Sequence, residues 1–260
     1  MNYIVKGFLA GQLCGNGREP LRKVTVKLYA TENGPTSSDE RYSFVVLSDQ
    51  IVEDKEPHLI GEGTTDAQGN YEINLLGPYN DGPIALDLFI SKIPNHDTPL
   101  DKGVQLSVTV LHPVWRDEAE GNVYSWNYCF SYSVWSGIRT MFDAWVLCGH
   151  LKLAQGSEKN IAGLTVYGYD ADWLKDDYLG KAVTNEKGYF QIDYRGKDFK
   201  RTFLSPMVNI ETPISLTQGP DVYFKVTDAE GTVWYAEERS NGFETERRSV
   251  PKCFYIDLYI

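Results

Sequence analysis

The chain predicts an all-β protein made of two tandem antiparallel β-sandwiches, joined by a short helical, aromatic-rich connector. Three observations lead there. The run Gly61-Glu-Gly-Thr-Thr65-Asp-Ala-Gln-Gly69-Asn-Tyr-Glu-Ile73 returns as Gly180-Lys-Ala-Val-Thr184-Asn-Glu-Lys-Gly188-Tyr-Phe-Gln-Ile192, with Thr and Gly displaced by a constant 119 residues. A self-match of that period is too long for a solenoid unit and about right for a whole domain. Each half also carries about seven short runs with period-2 alternation, separated by turn residues roughly every 8–12 positions, the pattern of a sandwich. Finally, no helical segment follows each strand, which a parallel α/β sheet would need.

The elements follow in order. Ile4-Val-Lys-Gly-Phe-Leu-Ala10 is a first strand, and Cys14-Gly-Asn-Gly-Arg-Glu-Pro20 is rich in turn formers. Val24-Thr-Val-Lys-Leu-Tyr29 alternates as a half-buried strand does. Residues 31–58 are polar around Phe44-Val-Val-Leu47 and read as a long loop or inserted hairpin. In the repeated hairpin, Asp66 opens the turn and Gly69 supplies a position that tolerates positive φ. Pro83–Ile90 and Val104–Val110 close a first sandwich over 1–112. Residues 113–144 form the connector. There Trp135, Ile138, Phe142 and Trp145 fall at helical spacing, with Ser133 placed to cap a helix running to about Ala144. Their apolar stripe is expected to be buried as an interdomain joint, since large aromatics at helical spacing are usually core. Val146–Leu151, Leu164–Tyr169, Pro220–Val226, Gly231–Tyr235 and Cys253–Ile260 then build a second sandwich over 145–260.

Composition narrows the function. The net charge of −11 and the lack of a Lys/Arg stripe exclude a nucleic-acid binder, which must displace counterions with a basic face. No stretch approaches the ~18 apolar residues of a membrane span. The first residues read as a strand rather than a signal peptide, so the compartment is open between the cytoplasm and export by a dedicated machine. Cys14, Cys129, Cys148 and Cys253 show neither CxxC nor zinc spacing. Cys148 and Cys253 can approach if the first and last strands of the second sandwich pair, but buried thiols are the simpler reading. The acidic run Asp170, Asp172, Asp176, Asp177 offers oxygen ligands for calcium. It lacks EF-hand spacing, and aspartates in such loops commonly cap turns, so structural capping is preferred. No nucleophile elbow, phosphate-cradling loop or Cys/His pair close in sequence is present. Glu237 to Arg248 reads as a solvated, charge-alternating loop.

The opening strand with Gly, the LxVxxY strand, the hairpin with its Thr, Gly and Ile, and Pro220-Asp-Val-Tyr-Phe-Lys-Val226 together resemble transthyretin-like domains, also called prealbumin-like or carboxypeptidase regulatory-like domains. Asp176-Asp177-Tyr-Leu-Gly180 is similar to the acidic run before the turn in such domains. The resemblance implies seven-stranded Greek-key sandwiches acting as structural, adhesive or binding modules. Hydroxyisourate hydrolases of that fold end in Tyr-Arg-Gly-Ser, whereas here Tyr194-Arg-Gly196 lies mid-domain and is followed by Lys197. Intradiol dioxygenases hold iron with paired His and Tyr, whereas His58, His96, His112 and His150 are scattered. The expectation is therefore a non-enzymatic structural or adaptor protein with protein partners or self-association and no cofactor. An extracellular carbohydrate or small-ligand module is the alternative, and an enzyme on such a sandwich a weaker one.

Overall fold

The structure, a computed structural model, describes residues 2–31, 44–77, 79–96, 98–153, 161–172, 175–199 and 219–260. The protein is all-β, and its chain divides into two compact units. The first comprises Met1–Gln12 and Arg18–Trp135, the second Leu13–Gly17 and Ser136–Ile260.

The first unit holds β1 (Tyr3–Gln12), β2 (Arg18–Pro20), β3 (Thr25–Ala30), β4 (Val45–Val46), α1 (Asp49–Lys55), β5 (Leu59–Thr64), β6 (Asn70–Asn74), β7 (Ile84–Lys92), β8 (Pro99–Leu111), β9 (Arg116–Glu118), β10 (Gly121–Ser125) and β11 (Tyr128–Phe130). One sheet is organised around β1, which pairs antiparallel with β2 and β6 and parallel with β10 and β11, while β9 adds outside β10. The other sheet runs β4-β8-β7-β3-β5, antiparallel throughout. Alternation sets the buried faces: Val5 and Ile73 on one sheet, Val26, Leu28, Leu86 and Leu88 on the other, are all at most 1% exposed. Two expectations are revised here. The stretch 113–144 is not a connector throughout, because residues 116–130 of it build β9–β11 of this unit, its aromatics entering β10 and β11. The 31–58 segment contributes β4 and α1; residues 32–43 of it lie outside the described residues.

The units divide inside α2 (Tyr132–Met141), which occupies most of the helix expected from Ser133 onward. The second unit continues with β12 (Ala144–Lys152), β13 (Thr165–Asp170), β14 (Asp177–Val183), β15 (Tyr189–Arg195), β16 (Val222–Thr227), β17 (Val233–Ala236) and β18 (Cys253–Tyr259). One sheet is β15-β12-β18, in which β12 and β18 run parallel, and the other is β14-β13-β16-β17. Leu147, Phe190 and Leu258 from the first sheet share one core with Val166, Leu179 and Phe224 from the second. Burying each such side chain is worth about 1.5–3 kcal/mol, so this core holds the two sheets face to face.

The repeated hairpin is the same device in both units. The Thr65 hydroxyl accepts from the Val24 backbone N–H at 3.0 Å, and that of Thr184 accepts from Leu164 at 3.0 Å. Asp66 Oδ1 accepts two backbone N–H groups at 2.8 Å, and Asn185 Oδ1 does likewise at 2.9 and 3.0 Å. Gly69 (φ +84°) and Gly188 (φ +75°) close the turns. A Cβ there would meet the carbonyl oxygen of Leu9 at 2.4 Å or of Leu151 at 2.7 Å, so the first strand of each unit can dock only on glycine.

The expectation of four buried thiols is corrected. β12 and β18 do pair, but Cys253 is bonded to Cys14, with Cα atoms 5.8 Å apart. The partner comes from Leu13–Gly17, a segment that follows β1 in sequence yet belongs to the second unit. Cys129 and Cys148 remain thiols.

Candidate functional site

On the second unit's β14-β13-β16-β17 sheet, β13 turns Val166, Gly168 and Asp170 inward and leaves Tyr167 and Tyr169 on the outer face, as alternation requires. The register sets Tyr169 opposite Tyr178 of β14 on one side and Tyr223 of β16 on the other. Three phenols therefore form a row across three strands, with centroids 5.7 Å apart for Tyr169–Tyr178 and 5.2 Å for the stacked Tyr169–Tyr223 pair. Tyr167, two positions along, lies level with Lys181 and Lys225, and the Lys181 ammonium sits 5.9 Å from its ring centre. Partial burial raises the phenol pKa of both Tyr169 and Tyr178, so these hydroxyls are neutral hydrogen-bonding groups at physiological pH. Among the described residues β14 pairs with β13 alone, so the row ends there at an edge, where Tyr178 and Val183 are 51% and 65% exposed.

The acidic run borders this row, and its members have different tasks. Asp170 is buried at the end of β13, where Oδ1 accepts the Asp221 backbone N–H at 2.6 Å. Burial, with Asp221, Asp172 and Asp177 adding negative charge, lifts its pKa to about 7. Asp176 Oδ2 accepts the Tyr223 hydroxyl at 2.7 Å, and its Oδ1 lies 2.8 Å from Arg239 Nε. Asp172 precedes residues 173–174, which lie outside the described residues, and Asp177 opens β14 opposite Asp170. Among the described residues, the His, Cys, Asp and Glu side chains that bring three ligand atoms within one ion's reach are Cys14, Cys148 and Cys253, and none of the four aspartates belongs to that group.

The charged stretch after β17 differs from its expected solvation. The Arg247 guanidinium forms a fork on Glu237 at 2.5 and 3.0 Å, Glu237 also accepts the Phe224 N–H at 2.8 Å, and both side chains are largely buried. This ion pair clamps the loop onto β16 rather than leaving it in water.

The residues assigned to the joint, Trp135, Ile138, Phe142 and Trp145, are all buried. Trp135 belongs to the first unit, where its indole N–H donates to Glu19 and its ring lies 6.1 Å from Phe130. Ile138, Phe142 and Trp145 belong to the second, where Trp145 packs 5.0 Å from Phe199 and 6.0 Å from Tyr194. The tyrosine row was not singled out by sequence reasoning. Its signal was present in the Tyr-x-Tyr spacing of β13, but the cross-strand register that aligns Tyr178 and Tyr223 with it is not a local property.

Among the described residues, no helix is long and apolar enough to cross a membrane. No protein-family model matches the chain, and no curated protein matches it. Among solved structures, the chain is similar to the SpaE basal pilin from Lactobacillus rhamnosus GG at 10% identity, covering 100% of both chains with a TM-score of 0.29. It is similar to GBS52, the minor pilin of Streptococcus agalactiae, at 10% identity, covering 99% of this chain and 94% of that one with a TM-score of 0.25. A 9R-lipoxygenase from Cyanothece PCC8801 matches at 15% identity and a TM-score of 0.25, over 49% of this chain but only 16% of the enzyme's length. Likeness at this level assigns no family and no activity to the chain.

Proposed function

We propose that the protein is a non-catalytic structural or adaptor component that receives a protein partner on the tyrosine face and β14 edge of its second unit. The observation that carries this is continuity: the Tyr178–Tyr169–Tyr223 row runs into an edge strand whose Tyr178 and Val183 are exposed. Tyrosine gives large contact area at low entropic cost and is enriched at interfaces. An edge strand with no second partner among the described residues offers backbone donors and acceptors for strand addition. A partner, or a second copy of the chain, would be held by both.

The test is association measured by light scattering and by cross-linking, for the wild type and for the Tyr178→Lys/Val183→Lys variant. The wild type should self-associate or retain a partner through purification. The variant should lose that association while its unfolding midpoint stays close to wild type, since exposed substitutions cost roughly 0.5 kcal/mol or less. A monodisperse wild-type monomer that retains no partner would sink the proposal.

The same row supports a second reading, a carbohydrate ligand stacked on Tyr169 and Tyr178. A glycan panel that raises the melting temperature of wild type but not of the lysine variant would favour it. For the acidic run we propose capping rather than calcium binding, on the strength of the Asp170–Asp221 and Asp176–Tyr223 bonds. Excess calcium should leave the melting temperature unchanged, and a rise would reverse this assignment.

A further inference from the structure

Three of the four cysteines meet in the second unit. Cys14 comes from the Leu13–Gly17 segment, Cys148 from the middle of β12 and Cys253 from the start of β18. The parallel register places Cys253 opposite Val146, two residues before Cys148, so both sulfurs project from one face of the sheet. The three sulfurs all lie within 4.8 Å of one another, and Cys148 Sγ is 3.6 Å from Cys14 Sγ. A structural disulfide needs two cysteines, and a third sulfur in contact with it asks for a reason.

We propose that, when reduced, Cys14, Cys148 and Cys253 form a three-thiolate site for a thiophilic d¹⁰ cation of the zinc class. Zinc–sulfur bonds of about 2.3 Å in tetrahedral geometry put ligand sulfurs about 3.8 Å apart. The Cys14–Cys148 separation already meets that spacing, and Cys253 reaches it once its bond to Cys14 opens. The arrangement is a compact triangle rather than a line, which suits ligands around one ion. It does not suit thiol–disulfide exchange, in which attacking, central and leaving sulfurs align. The Cys14 backbone N–H already points at Cys253 Sγ at 3.0 Å, the kind of outer-shell bond that stabilises a bound thiolate. Cys148 is fully buried, while Cys14 is half-buried and gives the ion a way in. His150, two residues further along β12 on the same face, is held through Nδ1 by the Tyr255 hydroxyl at 3.0 Å and lies outside the sulfur group. Among the described residues no further His, Cys, Asp or Glu joins the three sulfurs, which leaves the fourth position to water or an exogenous ligand.

The chemistry balances in two steps. A dithiol reductant gives two electrons and two protons to the Cys14–Cys253 disulfide and is itself oxidised to a disulfide. The three thiols then bind one M²⁺ and release three protons. When oxidised, a covalent bond fastens Leu13–Gly17 to β18 alone; when reduced, the metal would fasten it to both β12 and β18.

The experiment uses the full chain, reduced and handled without oxygen, titrated first with Co²⁺ and then with Zn²⁺. One equivalent of cobalt should produce thiolate-to-cobalt charge-transfer absorption and tetrahedral ligand-field bands, and one equivalent of zinc should bleach them. Cys148→Ala should weaken zinc binding by more than the 10–100-fold that loss of an outer-shell partner costs. The same variant, once oxidised, should still form the Cys14–Cys253 bond, which shows that it folds. Cys129→Ser should bind as wild type does. The proposal fails if the reduced wild type shows no charge-transfer band, or if Cys148→Ala binds zinc with wild-type affinity.

Discussion

Asp170 ends β13 facing inward, and its carboxyl is held neutral up to about pH 7 by burial and by the charges of Asp221, Asp172 and Asp177. In the unfolded chain the same group titrates near 3.9. Between roughly pH 4 and pH 7 the folded state therefore holds a proton that the unfolded state has lost, and linkage makes stability fall as pH rises through that window. The loss attributable to this residue is at most about 4 kcal/mol, and above pH 7 its contribution is level. Asp170→Asn keeps the carbonyl oxygen that accepts the Asp221 N–H and removes the titration. Its urea midpoint should thus decline less between pH 4.5 and 7 than that of wild type, at roughly constant m. Parallel slopes for the two proteins would show that Asp170 is not the titrating group. At this scale the sequence was informative where a residue acts on its chain neighbours. Asp66 was readable as a turn former because its bonds reach only two and four residues ahead, and Asn185 repeats them in the second copy. The elevated pKa of Asp170 was not, because it depends on what covers the end of β13.

The element that sequence reading resolved least is α1. It brings Lys55 to within 2.6 Å of Asp87, a fully buried carboxylate on β7, and over the Tyr29 ring at 4.7 Å. The Lys55–Asp87 contact is an ion pair rather than an aligned hydrogen bond; Gln105 supplies the latter, donating to Asp87 at 2.8 Å and to the Tyr29 hydroxyl at 2.9 Å. Lys55→Met removes the counter-charge of a carboxylate that cannot reach water. It should cost about 3–5 kcal/mol in chemical denaturation. Adding Asp87→Leu should recover a large part of that loss, because replacing both partners by apolar groups removes the desolvation penalty. A double variant no more stable than Lys55→Met would mean that the helix is held by other contacts. Nothing local marked Lys55, one lysine in a polar stretch, as buried. The strands were legible from alternation, as β3, β7 and β8 show. The parallel pairing of β10 and β11 with β1 was not, since alternation gives a strand its faces but not its neighbour.

For the molecule as a whole, the 119-residue echo suggests two domains that could be separated by one cut near 144/145. The chain's course argues otherwise. It enters the second unit at Leu13, returns to the first at Arg18, and re-enters the second at Ser136, and Cys14 is bonded within that unit to a cysteine 239 positions away. No single peptide bond divides the units without leaving Leu13–Gly17 on the wrong fragment. A fragment spanning 136–260 therefore lacks Cys14, and with it a cross-link of the long-loop kind whose loss typically costs about 2–5 kcal/mol. Hydrogen exchange read peptide by peptide should show β12, β15 and β18 less protected in that fragment than in the oxidised full chain. In the full-length Cys14→Ser variant, the same three strands should lose protection while β3, β7 and β8 of the first unit keep theirs, because the bond constrains only the unit that contains it. Equal protection of β12 in fragment and full chain would mean that the second unit is complete without Leu13–Gly17. Uniform loss across both units in Cys14→Ser would mean that they unfold as one.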